Sequence, residues 1–301
     1  MTARTLSTWA VLCLLAAVAS AALLAACGGS GGSASSTTSA SATLTATSPA
    51  SSSPATTPTT APSAGTTLSL YFLRGESLGV AARQVPQTTT PATAALEALC
   101  AGPSASETAA GLTSAVPAGT HLLGLSIDGT TAHVDLSAEF ASGGGSLSMQ
   151  ARVAQVVYTL TRFTTVESVT FALEGKAVDA LGGEGLMLGE AQRRSDWRSL
   201  EPAIFVDSPG VGAVLSSPCT LGGTASVFEG SFTARLMDDA DQIIVRTQVQ
   251  ASAGAPERGR FRTALPFSTA AQSGTLIVFS QSMEDGSRQN EVRIPVTFAQ
   301  K

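Results

Sequence analysis

Lysine, histidine and aromatic side chains are scarce in this chain of 301 residues, and each scarcity excludes something. Lys176 and Lys301 are the only lysines among 17 cationic residues, and the net charge is −5. Binding to nucleic acid needs a basic face to neutralise phosphates, so no nucleic-acid partner is expected. The only histidines, His121 and His133, show no pairing with cysteine at metal-ligand spacing, so no metal site is expected. Aromatics make up 5% of the chain and there are two Trp, which weighs against a sugar site built on stacking. There is no Walker A run, and no G-x-G-x-x-G follows a strand. A hydrolase would need a nucleophile–base pair, and none is visible. The sequence therefore gives no catalytic residue, metal or cofactor, and the reading is that this is not an enzyme.

What is present begins with an apolar leader. Arg4 supplies a thin positive start, and Trp9–Leu24 carries no charge. A polar low-complexity tract follows it, without stop-transfer cations, so residues 1–26 read as a signal peptide. Leu24-Ala25-Ala26-Cys27 resembles the bacterial lipobox, in which the cysteine thiol receives diacylglycerol and the chain is cut before it. The other reading is an ordinary secretory signal with an incidental cysteine. On the lipobox reading Cys27 is the lipid attachment site and the membrane is a partner. Two or more acyl chains, at about 0.8 kcal/mol per buried CH₂, hold a protein where one does not. The expected location is extracytoplasmic, anchored to the bacterial cell membrane.

Residues 27–66 read as a lipidated Cys followed by a disordered tether. Apart from Leu44, Gly28–Thr66 contains only Gly, Ser, Ala, Thr and Pro, which cannot bury enough apolar surface to fold. As a coil its ends would lie about 35 Å apart on average. Stretched, it would reach beyond about 100 Å. Gly28–Gly32 formally matches G-x-S-x-G, but no strand precedes it and no helix follows. Of the four cysteines, Cys13 leaves with the leader, and Cys100 and Cys219 remain in an oxidising compartment. They either form one disulfide across two domains or stay as small buried hydrophobes.

Leu122–Phe140 is the stretch around which the folded part is organised. Asp128-Gly129 between alternating runs predicts a two-residue type I′ hairpin. That register sets Ile127 opposite Thr130, Leu125 opposite Ala132, Leu123 opposite Val134 and His121 opposite Leu136. One face is then apolar. The other carries Leu122, Gly124, Ser126, Thr131, His133 and Asp135, which puts the two histidines on opposite faces.

Around the hairpin, residues 67–197 read in the order β-α-β-β-α-β. The elements are a strand at Leu68–Leu73, a helix at Pro91–Cys100 closed by Gly102-Pro103, and the hairpin. A helix then follows with Met149, Val153, Val156, Leu160 and Phe163 on one side, capped by Ser146 or Ser148. Val166–Leu173 and a short return at Ala177–Leu181 complete it. Residues 202–298 read as strands between turns, at Ile204–Val206, Thr224–Glu229, Phe232–Met237, Ile243–Val249, Gly259–Leu265, Thr275–Phe279 and Glu291–Phe298. About seven strands in about a hundred residues predict a β-sandwich, without the Cys–Trp–Cys signature of antibody domains. The fold class is thus α+β with two domains, a β-α-β-β-α-β layer followed by an immunoglobulin-like β-sandwich.

The residues themselves support a family resemblance. AALEALCAGP (Ala94–Pro103), Ser114–Phe140, QVVYTLTRF (Gln155–Phe163) and VTFALEGK (Val169–Lys176) resemble the GerM-type domain of sporulation and germination lipoproteins. Ser216–Gly230, the Asp285-Gly286 turn and RIPVTF (Arg293–Phe298) resemble the immunoglobulin-like domain of bacterial spore germination proteins. The resemblance implies a non-catalytic scaffold or interaction component of an envelope complex, with an envelope protein as partner. A lipoprotein that binds a wall polysaccharide or small ligand is the alternative. No ligand-binding residue can be named from the sequence. Asp238, Asp239 and Asp241 read as a solvated turn rather than a Ca²⁺ loop, lacking the EF-hand glycine and glutamate. Glu139 reads as a cap or acceptor and Glu229 as a carboxylate without a visible partner. Arg193, Arg194, Trp197 and Arg198 read either as interdomain packing or as a recognition patch.

Overall fold

The computed structural model describes residues 65–182 and 185–300. The leader, Cys27 and the tether up to residue 64 lie outside them. Thr66, assigned to the tether from composition, already belongs to the first strand.

Strand β1 (Thr66–Arg74) pairs antiparallel with β2 (Ser77–Val85), and the tight turn between them has Gly75 at φ +62°. The sequence reading had no strand at β2, whose Ala, Arg and Gln carry little β signal. Its order was β-α-β-β-α-β, and a second strand is inserted before the first helix. Helix α1 (Pro91–Cys100) begins with Pro at its first turn, where the missing N–H is not needed. It ends where Gly102 takes φ +81° and its N–H reaches the Leu99 carbonyl at 3.0 Å. Helix α2 (Ala105–Ala109) opens on a capping box between Ser104 and Glu107.

Strands β3 (Leu122–Asp128) and β4 (Thr131–Leu136) form the expected hairpin in a different register. Ile127 faces Ala132, Leu125 faces Val134 and Leu122 faces Leu136, with an irregularity between Leu122 and Gly124. The loop residues are Gly129 and Thr130, and of Asp128 and Gly129 only Gly129 has positive φ, at +57°. This is the type II′ pattern, with glycine first, and it spares Asp128 a left-handed backbone. The irregularity turns Leu123 outward, 51% exposed, and brings Leu122 against the core. His121 lies before β3, outside the ribbon.

Helix α3 (Ser146–Leu160) buries Met149, Val153, Val156 and Leu160 as its spacing requires, with Phe163 packed against the same core. Its N-cap is Gly145, so neither Ser146 nor Ser148 caps it. Gly143 and Gly144, at φ +58° and +79°, turn the chain sharply into the helix, and Ser148 accepts instead from Arg152 Nη2 at 3.1 Å. Helix α3 supplies the crossover that parallel pairing of β4 with β5 (Ser168–Leu173) demands. The short return splits in two. β6 (Lys176–Ala177) joins β5, while β7 (Ala180–Leu181) pairs with β8 (Leu186–Met187). Helices α1 and α3 pack on β1, with Leu70, Phe72, Leu96, Leu99, Val157 and Leu160 fully buried between them.

The second domain is a sandwich. Strand β9 (Ile204–Ser208), β10 (Val214–Leu215), β11 (Cys219–Ala225), β12 (Ser231–Asp238), β13 (Ile243–Gln250), β14 (Gly259–Leu265), β15 (Ser273–Gln281) and β16 (Arg288–Phe298) form two sheets. One has the order β10-β16-β15-β12-β13 and the other β14-β11-β9. Ile294, Val296 and Phe298 point inward from β16 while Arg293 is exposed. Of the strand expected at Thr224–Glu229, only Thr224 and Ala225 lie in a strand. They end β11, and in the turn after it Glu229 and Gly230 take φ +52° and +67°. Cys100 and Cys219 are both free thiols, so the interdomain disulfide is absent. Burial, then Glu97 nearby, pushes the Cys100 thiol up to about 11, which makes it inert at neutral pH. Among the described residues no helix is long and apolar enough to cross a membrane.

Candidate binding site at the domain junction

The chain has only two tyrosines, and both sit where the domains meet. Tyr71 on β1 is fully buried, and its hydroxyl donates to Asp207 on β9. Tyr158 on α3 donates to Glu201 Oε1 at 2.6 Å. Between them lies Arg194, whose guanidinium stands 4.9 Å from the Tyr71 ring centroid and 4.6 Å from that of Tyr158. Its Nη2 donates to Tyr71 Oη and to the Tyr158 carbonyl, each at 2.9 Å, and Nε donates to Thr161 Oγ1 at 2.8 Å. Phe205 of β9 completes the cluster, 6.2 Å from Tyr71 and 5.9 Å, edge-on, from Tyr158.

Burial, then the Asp207 carboxylate, pushes the Tyr71 hydroxyl well above the ordinary phenol range. Burial, then the hydrogen bond to Glu201, does the same to Tyr158. Both therefore stay protonated as donors. Burial alone would lower Arg194, but Tyr71 and Asp207 beside it outweigh that and hold it above its usual value.

The junction is also closed through backbone. Ala82 N–H donates to the Val211 carbonyl and Val211 N–H to the Val80 carbonyl, both at 2.8 Å. Gly210 permits this approach, since a Cβ there would lie 2.9 Å from the Ala81 carbonyl carbon. The strand missing from the sequence reading, β2, is thus the one on which the second domain seats. Of the cluster Arg193, Arg194, Trp197 and Arg198, Arg194 and the buried Trp197 serve packing, while Arg198 is exposed at the rim of a cleft.

That cleft, of about 720 Å³, runs along the outer face of the three-stranded sheet below the end of α3. Six arginines line it: Arg162, Arg194, Arg198, Arg258, Arg260 and Arg262. The only carboxylates there are Glu201 and Asp207, and both are engaged. Glu201 meets Arg258 at 3.3 Å and accepts from Thr224 Oγ1 at 2.7 Å. Asp207 meets Arg162 at 3.3 Å and Arg194 at 3.4 Å. Gly222 and Gly223 form part of the lining without side chains.

The residues singled out from the sequence do not converge. His133 bonds Thr170 Oγ1 at 2.7 Å on the exposed face of β4. Asp238 Oδ1 accepts from the N–H groups of Ala240 and Gln242 at 3.0 and 2.8 Å, a closed hairpin turn. The hydroxyl of Ser137 holds the exposed Glu139 carboxyl below its usual value. Among the described residues no group of three or more His, Cys, Asp or Glu is placed to hold a metal ion.

An α/β layer domain closed onto a sandwich defines a two-domain α+β protein. Residues 69–179 match the family model Germane, sporulation and spore germination, and residues 203–287 match Gmad2, the immunoglobulin-like domain of bacterial spore germination. The chain carries a GerM-type germination domain followed by its immunoglobulin-like companion. Among solved structures it is similar to the tandem GerMN domains of the sporulation protein GerM from Bacillus subtilis. That likeness is 20% identical over 69% of this chain and 63% of that one, with a TM-score of 0.41. The chain thus spans less than two thirds of that protein's length. The first GerMN domain of the same protein is 26% identical over 44% of this chain and 99% of its own, with a TM-score of 0.38. A putative lipoprotein from Clostridium perfringens is 22% identical over 46% and 93%, with a TM-score of 0.34. No curated protein matches the chain.

Proposed function

We propose that this protein is a lipid-anchored, extracytoplasmic scaffold of a sporulation- or germination-like envelope complex, and that it is non-catalytic. The junction carries the reading. Two domains of germination families are locked together by Tyr71, Tyr158, Arg194 and Asp207, so they present one continuous surface instead of two independent modules. A scaffold needs such a surface, and the free edges of the two sandwich sheets and the exposed Ile243 and Val214 lie on it. Cys27 anchors the chain, and the tether gives the folded part its reach.

Two measurements test this. Cys27→Ala releases the chain from the membrane fraction, and continued membrane association overturns the anchor. Whole-cell cross-linking of the full chain recovers one protein partner in near-stoichiometric yield, and recovery falls with Arg194→Gln. Cross-linked glycan without protein overturns the scaffold in favour of a binding lipoprotein.

A further inference from the structure

The cleft beside the junction has an excess of positive charge that the fold does not use. Three of its arginines have structural work: Arg194 and Arg258 hold the junction, and Arg162 shares Asp207. Arg198, Arg260 and Arg262 have no carboxylate partner among the described residues, and all three are exposed. They come from two separate elements. Arg198 stands on the short 3₁₀ segment Arg194–Leu200, and Arg260 and Arg262 stand two apart on β14.

Period-two alternation puts Arg260 and Arg262 on one face, about 7 Å apart along the strand, while Phe261 between them is buried in the sandwich. Register sets Arg262 opposite Gly222 and Arg260 opposite Thr224 on that same face. Gly222 leaves the floor open beneath the guanidinium of Arg262, since even an added Cβ would meet only the Phe261 carbonyl, at 3.7 Å. Thr220 and Ser208 line the same cleft, and neither hydroxyl has a partner among the described residues. In a chain of net charge −5, this concentration of donors in one concave place is a local reversal of the surface charge.

We infer that the cleft binds a ligand carrying several phosphate groups. Guanidinium forks bind oxyanions through paired hydrogen bonds, and a cleft that encloses the anion between two walls strengthens each of them. Phosphate is favoured over an acidic protein segment because the lining offers donors without apolar anchors. The aromatic residues there, Phe205 and Phe261, are 2% and 4% exposed, so a protein partner would find no hot-spot pocket. The volume of about 720 Å³ suits a compact multi-phosphate group rather than a single ion. This goes beyond the scaffold reading and does not depend on the anchor or on a protein partner.

The probe is inorganic tripolyphosphate, titrated by calorimetry into the full chain in non-ionic detergent at low salt. Saturable one-site binding is expected, weakening as salt is raised. Arg260→Gln with Arg262→Gln weakens it at least about ten-fold. Arg246→Gln with Arg288→Gln, a charge-matched pair on β13 and β16, changes it by less than about two-fold because the loss is local. Arg198→Gln reproduces the loss from a different element, which keeps the test valid if the first pair unfolds. Mixed micelles with cardiolipin, a lipid with two phosphates, that compete tripolyphosphate away assign the phosphates to a lipid headgroup. Failure to compete, with tripolyphosphate still bound, assigns them to a soluble phosphate polymer. Absence of saturable binding, equal loss in the two double variants, or displacement by poly-glutamate at lower concentration overturns the proposal.

Discussion

Two adjacent glycines on β11 have opposite reasons to be there. A Cβ on Gly223 would lie 2.0 Å from the Phe205 carbonyl oxygen and 2.9 Å from Phe261 Cζ, both in tightly packed surroundings. Gly223→Ala is therefore expected to cost at least about 1–3 kcal/mol, as overpacking does. Gly222→Ala should unfold close to wild type in urea, since its added methyl meets only ordinary contact. Glu107 gives a pH-dependent case at the same scale. Burial alone would raise its carboxyl, but the guanidinium of Arg83 and the Ser104 N–H at 2.7 Å hold it below the usual range. A depressed folded value stabilises above the unfolded value, near pH 4.3 for glutamate. That stability is lost as pH falls from there through the folded value. Glu107→Gln should destabilise at neutral pH by about 1–3 kcal/mol. The gap from wild type should close as pH drops below about 4.3. A gap independent of pH would mean that Arg83 does not engage the charge.

The β3–β4 hairpin shows how much of an element can be read without its register. Alternation correctly marked Ala132, Val134 and Leu136 as the buried side of β4, and the Asp-Gly pair correctly placed a turn. What sequence could not supply was which two residues form the loop, because I′ and II′ turns both use this glycine. Moving the turn by one residue shifts the pairing by two and leaves Leu125 on the apolar face, whereas the separate irregularity between Leu122 and Gly124 reverses Leu122 and Leu123. The prediction is direct. Leu123→Ser should change stability by less than about 0.5 kcal/mol, as exposed sites do. Leu125→Ser, packed against the core opposite Val134, should cost about 1–3 kcal/mol. A loss at Leu123 comparable to that at Leu125 in urea melts would restore the I′ register, which puts both leucines on the apolar face. Similar reasoning explains why α1 and α3 were read closely and β2 was not. Helix spacing and Pro91 leave a strong pattern, whereas SLGVAARQV has little β-branching and only the β1 pairing to define it.

For the whole molecule, the question is whether the two domains unfold as one. Composition marked Arg193, Arg194, Trp197 and Arg198 as a packing cluster or a patch, and the fold puts Arg194 and Trp197 in packing and leaves Arg198 exposed at the cleft. The partners of Arg194 were not visible, because Tyr71 and Asp207 lie 136 residues apart and meet only in three dimensions. Of the other arginines of the cleft, Arg162 lies just after α3 and Arg258, Arg260 and Arg262 at β14, nearly a hundred residues further on, so their convergence was equally hidden. The junction can be tested on a chain starting at Gly65, in which Trp197 is the only Trp and lies 6% exposed beside it. Its emission reports the junction, and far-UV circular dichroism reports both domains. In wild type the two urea transitions should coincide. Arg194→Gln removes the cation between two tyrosine rings and leaves Asp207 with Arg162 as its remaining counter-charge. Breaking a buried charged pair costs about 3–5 kcal/mol, and the loss here should be below that, because Arg194 retains 28% side-chain exposure. The Trp197 transition should then move to lower urea and separate from the dichroism transition, each domain still unfolding cooperatively. Coincident, unshifted transitions would mean that the β2–Val211 backbone bridge and the remaining tyrosine–carboxylate bonds hold the domains without Arg194. In that case the seating of Arg194 between the rings would be a consequence of their contact and not its cause.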